Sequence, residues 1–351
     1  MKKQLVFTTP VLSLVIASLG ILTVVLGQQS NSSKPKQTPE AQASNYRISG
    51  PYNHKNLTVF LVHGKDLLKG HSFLTLQEAL ARKQVIVYET KDVNELAIRN
   101  LSNQDVYVQA GDIVRGGDQD RMISTDFIVP PKSGRMPIAA FCVESGRWNR
   151  RGNEVNASFG SSENSASTKE LKLAAKRANS QQEVWDNVAA TQAKLTKNVG
   201  YLVNSPVSGS SLELSVENSK VKETTASYIS ALSGIIKDQS DVIGYAFAIN
   251  GKMNSADVYA SRDLFTKLWP KLLKASAVEA IAELEENQRP IAVEESVVTT
   301  FLADSEKPKP AEKSVTQRVK LVTREDSGSI FFETRDKLKK DAWVHRNYIK
   351  K

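Results

Sequence analysis

Eleven consecutive residues, Gly111-Asp-Ile-Val-Arg-Gly-Gly-Asp-Gln-Asp-Arg121, hold three glycines, three carboxylates and two arginines. The pair Gly116-Gly117 allows positive φ and lets a ligand come close to the backbone. Successive amides in such a turn can form a concavity for an anion. Arg115 and Arg121 add planar donors suited to phosphate or carboxylate, and Gln119 adds a neutral amide. A tight turn whose arginines pair with Asp112, Asp118 and Asp120 is the plainer reading of the same residues.

A second stretch, Phe141-Cys-Val-Glu-Ser-Gly-Arg-Trp148, delivers a carboxylate to a strand end and follows it with a guanidinium and an indole. Glu144, with Asp120, could act as an acid–base pair if burial raised its pKa. Glu144 could equally be the counter-ion of Arg121 or Arg147, a role favoured by the tendency of carboxylates near arginines to stay ionised. The binding reading therefore takes Arg115, Gly116, Gly117, Gln119, Arg121, Arg147 and Trp148 as ligand contacts. The catalytic reading takes Glu144 and Asp120. The sequence holds no recognisable catalytic motif: there is no P-loop, no Rossmann glycine triplet and no Gly-x-Ser-x-Gly elbow. Neither the four histidines nor the single cysteine shows metal-ligand spacing, so no metal and no cofactor is expected.

The elements that position these residues are mainly short β-branched and aromatic runs in the first half. Leu57 to His63, Val85 to Glu89, Ala97 to Leu101, Asp105 to Gln109, Met122 to Val129 and Pro137 to Glu144 read as strands. Thr75 and Glu78 form a capping-box pattern that opens a helix ending near Arg82. In the second half Ser180 and Glu183 open a helix running to Gly200, and a further helix spans about Lys220 to Ile236. Asn250-Gly251 is a hairpin turn, because both residues tolerate positive φ. Ser261 opens a long helix that Pro270 should kink. The fold class is α+β, with mainly antiparallel sheet in the first half and several packed helices in the second.

Met1-Lys2-Lys3 precedes an uncharged, mostly apolar run from Leu5 to Leu26, the pattern of an export signal. Its tightest part, Val11 to Leu26, has 16 residues, long for a signal core and shorter than the ~20 of a membrane span. A cleaved signal and a membrane anchor over residues 1–27 both stay open, and either places the body outside the cytoplasm. Residues 28–45 are a polar linker, 46–303 an α+β domain and 304–313 a polar connector. Residues 314–351 supply strands and a basic tail packed on the main domain.

The formal net charge is +9. Lys2 and Lys3 supply two of these charges and the tail from Arg335 a surplus of five, which leaves residues 28–334 at +2. So nearly neutral a body gives no footprint for nucleic acid, and a solvated terminus accounts for the tail. Cys142, inside an apolar run, reads as a buried, inert thiol.

The 111–121 string, Val129-Pro130-Pro131, the 141–148 string, the Ser180…Trp185 helix and the Phe265…Trp269…Leu273 helix together resemble one family, the ARG and rhodanese-phosphatase-superfamily-associated protein domain. The resemblance implies a nucleotide-derived or phosphorylated ligand, since the family name records association with ADP-ribose-processing and phosphatase-like domains. Two functions follow as expectations. One is an exported, non-catalytic binding protein for a small anionic ligand. The other is a hydrolase of a phosphorylated or glycosidic substrate using Glu144 and Asp120.

Overall fold

The computed structural model describes residues 46–147, 159–285 and 292–351. The N-terminal apolar run, the linker up to residue 45, and Trp148 lie outside the described residues. In chain order the first strands are β1 (Arg47–His54), β2 (Leu57–His63) and β3 (Leu74–Thr75), followed by helix α1 (Leu76–Ala81). Strands β4 (Val85–Glu89), β5 (Glu95–Asn100), β6 (Val106–Val108) and β7 (Asp112–Arg115) come next. They lead into β8 (Arg121–Ile123), β9 (Phe127–Val129), β10 (Met136–Cys142) and β11 (Gly160–Ser165).

The helical part opens with α2 (Lys169–Leu173), continued by a π-helical turn (Ala174–Ala178), and α3 (Gln181–Val199). Then come α4 (Leu212–Val216) and α5 (Ser219–Leu232), the hairpin β12 (Val242–Ile249) and β13 (Lys252–Tyr259), and α6 (Arg262–Ala282). The chain closes with α7 (Glu295–Ser305), β14 (Ala311–Ser314), β15 (Val319–Glu325), β16 (Ser329–Asp336) and β17 (Ala342–Lys350).

Three sheets organise these strands. The largest has the order β1-β2-β12-β13-β17-β16-β15-β14, the second β11-β7-β8-β10-β5-β4, and the third β3-β6-β9. The pairings are antiparallel apart from β3 with β6. The fold is thus α+β, with strands dominating the first half and helices clustering later.

Local chemistry sets the element ends. The Thr75 hydroxyl accepts from the Glu78 amide while the Glu78 carboxylate accepts from the Thr75 amide, a reciprocal cap on α1. Ser180 caps α3, whose far end turns through Gly200 at φ +68°. Asn250 and Gly251 take φ of 51° and 73° to close the β12–β13 hairpin. Ser261 caps α6, which contains Pro270 and is buried along most of its length between β12 and helices α3 and α5. No helix among the described residues is long and apolar enough to cross a membrane.

Three expectations change. The run from Met122 to Val129 is two strands in different sheets, because the chain breaks at Ser124-Thr-Asp126 and Asp126 turns inward. The polar 304–313 segment contains the end of α7 and an exposed edge strand, β14. The basic tail is only partly solvated: Lys339, Lys340, Lys350 and Lys351 are exposed, but Arg346 is not. Its final strand inserts between β13 and β16, and buries His345, Arg346 and Asn347. Arg346 is neutralised there by Glu333, which accepts from its Nε at 2.6 Å.

Candidate functional site

The glycine–arginine stretch is the β7–β8 hairpin and its turn. Gly116 and Gly117 both have positive φ, 112° and 61°. A Cβ on Gly117 would lie 2.5 Å from Glu89 Oε1 and 2.6 Å from Phe159 Cζ, so only glycine fits. The amides of this turn do point at anions, but at the protein's own. Gly116 N–H donates to Asp120 Oδ1 at 2.9 Å, Asp118 N–H to Glu89 Oε1 at 3.2 Å, and Asp120 N–H to Glu144 Oε2 at 3.1 Å.

Each arginine also has a carboxylate partner. Arg115 reaches Glu217 at 3.1 Å and Glu213 at 3.6 Å. Arg121 donates to Val93 O at 2.6 Å and to Glu89 Oε2 at 3.3 Å. Arg147 holds Glu144 Oε2 through Nε at 3.0 Å and Nη2 at 2.5 Å, and lies 3.9 Å from Asp120. The expected pairs with Asp112 and Asp118 do not form. Asp112 binds Lys271 at 2.7 Å, and Asp118 is exposed.

The register pairs Val114 with Arg121, which places Arg115 on the opposite face of the hairpin from Arg121. Arg121 and Arg147 therefore border the turn from the Glu89 and Glu144 side, while Arg115 belongs to the α4 side.

Glu144 is fully buried. Burial pulls its pKa up, but hydrogen bonds from Arg147, the Asp120 amide and Ser208, together with the Arg147 charge, outweigh this and hold it below the ordinary value. A carboxylate kept ionised in this way is a counter-ion and a poor proton donor. Cys142 is buried, and desolvation pushes its thiol up to about 11 despite the Arg121 charge, which makes it inert.

Gln119 is the exception in this turn. It has no exposure to solvent, and neither its Oε1 nor its Nε2 has a hydrogen-bond partner. The Nε of Arg121, 2% exposed, is likewise unpartnered.

A second charged centre lies where β13 and β17 face the start of the helical part. His345 Nδ1 sits 2.7 Å from Asp126 Oδ2 and Nε2 sits 3.0 Å from Asp257 Oδ1. With a carboxylate on each nitrogen, both must donate, so the ring is an imidazolium. Burial alone would lower its pKa, but the charges and hydrogen bonds of Asp126 and Asp257 raise it. The ring stacks on Tyr259 with centroids 4.5 Å apart.

Asp126 also accepts from the Ala110 amide and the Thr334 hydroxyl, each at 2.7 Å, and faces Lys176 at 4.0 Å. Lys172, one turn earlier, is half-buried and lines two adjoining cavities of about 20 Å³ each, room for about one water apiece. The first cavity also meets Asp257, Lys176, His345 and Asn347, the second Asp112 and Lys271. The π-helical turn Ala174–Ala178 contains Lys176 and follows Lys172, and such turns are frequent at functional sites.

No motif in the sequence marks this centre. A signal was present: Asp257 and Glu279 are lone acids inside apolar runs, and such residues must find partners when buried.

A family model described as the ARG and Rhodanese-Phosphatase-superfamily-associated Protein domain matches residues 45–349. No curated protein and no solved structure matches the chain.

Proposed function

Because the chain belongs to the ARG and Rhodanese-Phosphatase-superfamily-associated Protein domain family, whose description names no reaction, we propose that it is a non-catalytic binding protein. Its ligand is a small molecule bearing phosphate or carboxylate, taken by the Gly116–Arg121 turn. The observation that carries this reading is the Gln119 carboxamide. A buried amide without partners costs about 1–3 kcal/mol, and a native protein keeps such a group where something else completes it. Gln119 Nε2 and Arg121 Nε are donors for an anionic oxygen. Gln119 Oε1 accepts from a hydroxyl or N–H group on the same molecule, which fits a sugar phosphate or a nucleotide better than inorganic phosphate. Since Gln119 is closed to solvent, entry requires local opening of the turn.

Against hydrolysis stands the ionised Glu144, whose Oε2 is held by Arg147 and the Asp120 amide, although its buried Oε1 has no hydrogen-bond partner. We place the protein outside the cytoplasm, exported or tethered by its N-terminal apolar run, on the pattern of Lys2, Lys3 and Leu5 to Leu26.

The test is a thermal-shift screen of the full chain against sugar phosphates, nucleotides and inorganic phosphate. A ligand that raises the melting temperature of the wild type and leaves Gln119→Met unmoved supports the reading. An equal shift in both proteins removes Gln119 from the site. Turnover of any such ligand that disappears in Glu144→Gln would replace the binding reading with the hydrolytic one.

A further inference from the structure

Side chains alternate along β17, so Lys350 stands on the same sheet face as Tyr348. Tyr348 is buried there against α7, its ring 6.4 Å from that of Phe301. Lys350, two residues on, is exposed and pairs in register with Ser329, just after the β15–β16 turn. Between that turn and α7 the face opens into a groove of about 620 Å³. Small-molecule sites commonly measure about 300–1,000 Å³. Val297, Thr300, Phe301 and Asp304 recur at helical spacing and form the α7 wall of this groove. Val297, 46% exposed, joins Phe301 and Met253 in giving it apolar surface.

Three charged side chains line the groove, and two of them are already engaged. Asp304 accepts from Lys307 Nζ at 2.6 Å. Asp326 Oδ1 accepts from the Gly328 and Ser329 amides, each at 2.8 Å. The Lys350 ammonium makes no hydrogen bond or ion pair with any described residue, whereas its neighbour Lys351 is held by Glu325 at 2.5 Å. Lys350 Nζ lies over the turn, 3.4 Å from where a Cβ on Gly328 would stand.

We propose that this groove is a second ligand site, separate from the Gly116–Arg121 turn, and that it takes a small apolar monocarboxylate. The carboxylate meets the Lys350 ammonium, and the apolar body lies along Val297, Phe301 and Met253. One uncompensated cation sets the charge of the ligand. A phosphate monoester carries about −1.5 to −2 at neutral pH and would face Asp304 and Asp326 with only one ammonium to offset it. A single carboxylate is matched by Lys350 alone. The volume and the apolar wall call for a body larger than acetate, since an ion pair this exposed holds a ligand only weakly by itself.

The experiment is an NMR titration of the full chain, labelled with 13C at the methionine methyls, with naphthalene-2-carboxylate as the probe. The Met253 methyl shifts saturably, while the buried Met122 methyl stays in place. Lys350→Gln weakens this binding about three- to tenfold, and Val297→Asp abolishes it. The uncharged naphthalene-2-methanol binds wild type and Lys350→Gln with the same, weaker affinity. Gln119→Met titrates as the wild type does, so failure at the Gly116–Arg121 turn and failure here are told apart. A Met253 methyl that does not move at millimolar probe overturns the proposal, as does equal affinity in Lys350→Gln and wild type. Tighter binding of 2-naphthyl phosphate than of the carboxylate overturns the assignment of a singly charged ligand.

Discussion

His345 and Asp126, 219 residues apart in sequence, share a buried 2.7 Å hydrogen bond that ties the last strand to the loop between β8 and β9. Asp257 holds the other side of the same ring. The C-terminal strand is thereby fastened to the core by charge as well as by its sheet pairing.

Removing that ring should be severe. His345→Ala leaves two carboxylates buried without their cation, and the expected loss is about 3–5 kcal/mol at neutral pH. The pH dependence has a definite sign. His345 has a raised pKa, so its contribution is fully present below about 6.5 and is lost as pH rises through the higher folded value. Asp126 is held well below the ordinary carboxylate range, so its contribution is present above about 3.8 and is lost as pH falls further. Urea melts of wild type and variant from pH 5 to 9 should converge as pH rises. A constant gap would mean that folding leaves the pKa of the ring unshifted.

Arg147→Ala tests the counter-ion role of Glu144. The buried carboxylate then loses its main stabilising partner, at a cost of about 3–5 kcal/mol near pH 7. Its pKa should climb, so the deficit shrinks as the solution is acidified to pH 5. The double variant Arg147→Ala, Glu144→Gln should recover much of the loss, which a double-mutant cycle would measure. Additive single effects would show that the pair is not coupled.

Gly117 and Gly146 separate backbone strain from crowding. Both have positive φ, 61° and 80°, but nothing lies within 4 Å of a Cβ at Gly146. Gly146→Ala should cost only the backbone term, about 1–2 kcal/mol. Gly117→Ala should cost clearly more, because Glu89 and Phe159 must shift as well. Equal melting temperatures for the two variants would show that the turn yields easily.

Gln119→Met should stabilise the ligand-free protein by about 1–3 kcal/mol, as an unpartnered buried amide is exchanged for an apolar chain of similar length. The same variant should lose its ligand-dependent shift. Such a trade of stability against function is expected where a residue is kept for binding. A destabilised variant would instead mean that Gln119 is already satisfied in the ligand-free protein.

Much of this protein follows from its sequence through local physics. Ser180, Gly200, Asn250-Gly251, Ser261 and the Thr75–Glu78 box act within a few residues of themselves, so their effects can be read off the chain. The alternating apolar runs likewise point to strands, and the string from Gly111 to Arg121 marks a turn between two of them. Local signals could not choose partners. Arg115 takes Glu213 and Glu217 about a hundred residues away, and Arg121 takes Glu89, while nearby Asp118 stays in solvent. That choice depends on which carboxylates the sheets bring within reach of a buried guanidinium. The basic tail shows the same limit. Its lysines at 339, 340, 350 and 351 stay in solvent, but Arg346 and His345 enter the gap between β13 and β16, where Glu333 meets the one and Asp126 and Asp257 the other. Charge pairing at depth is a property of the assembled core, because the desolvation that makes a partner necessary exists only once the strands have closed around it.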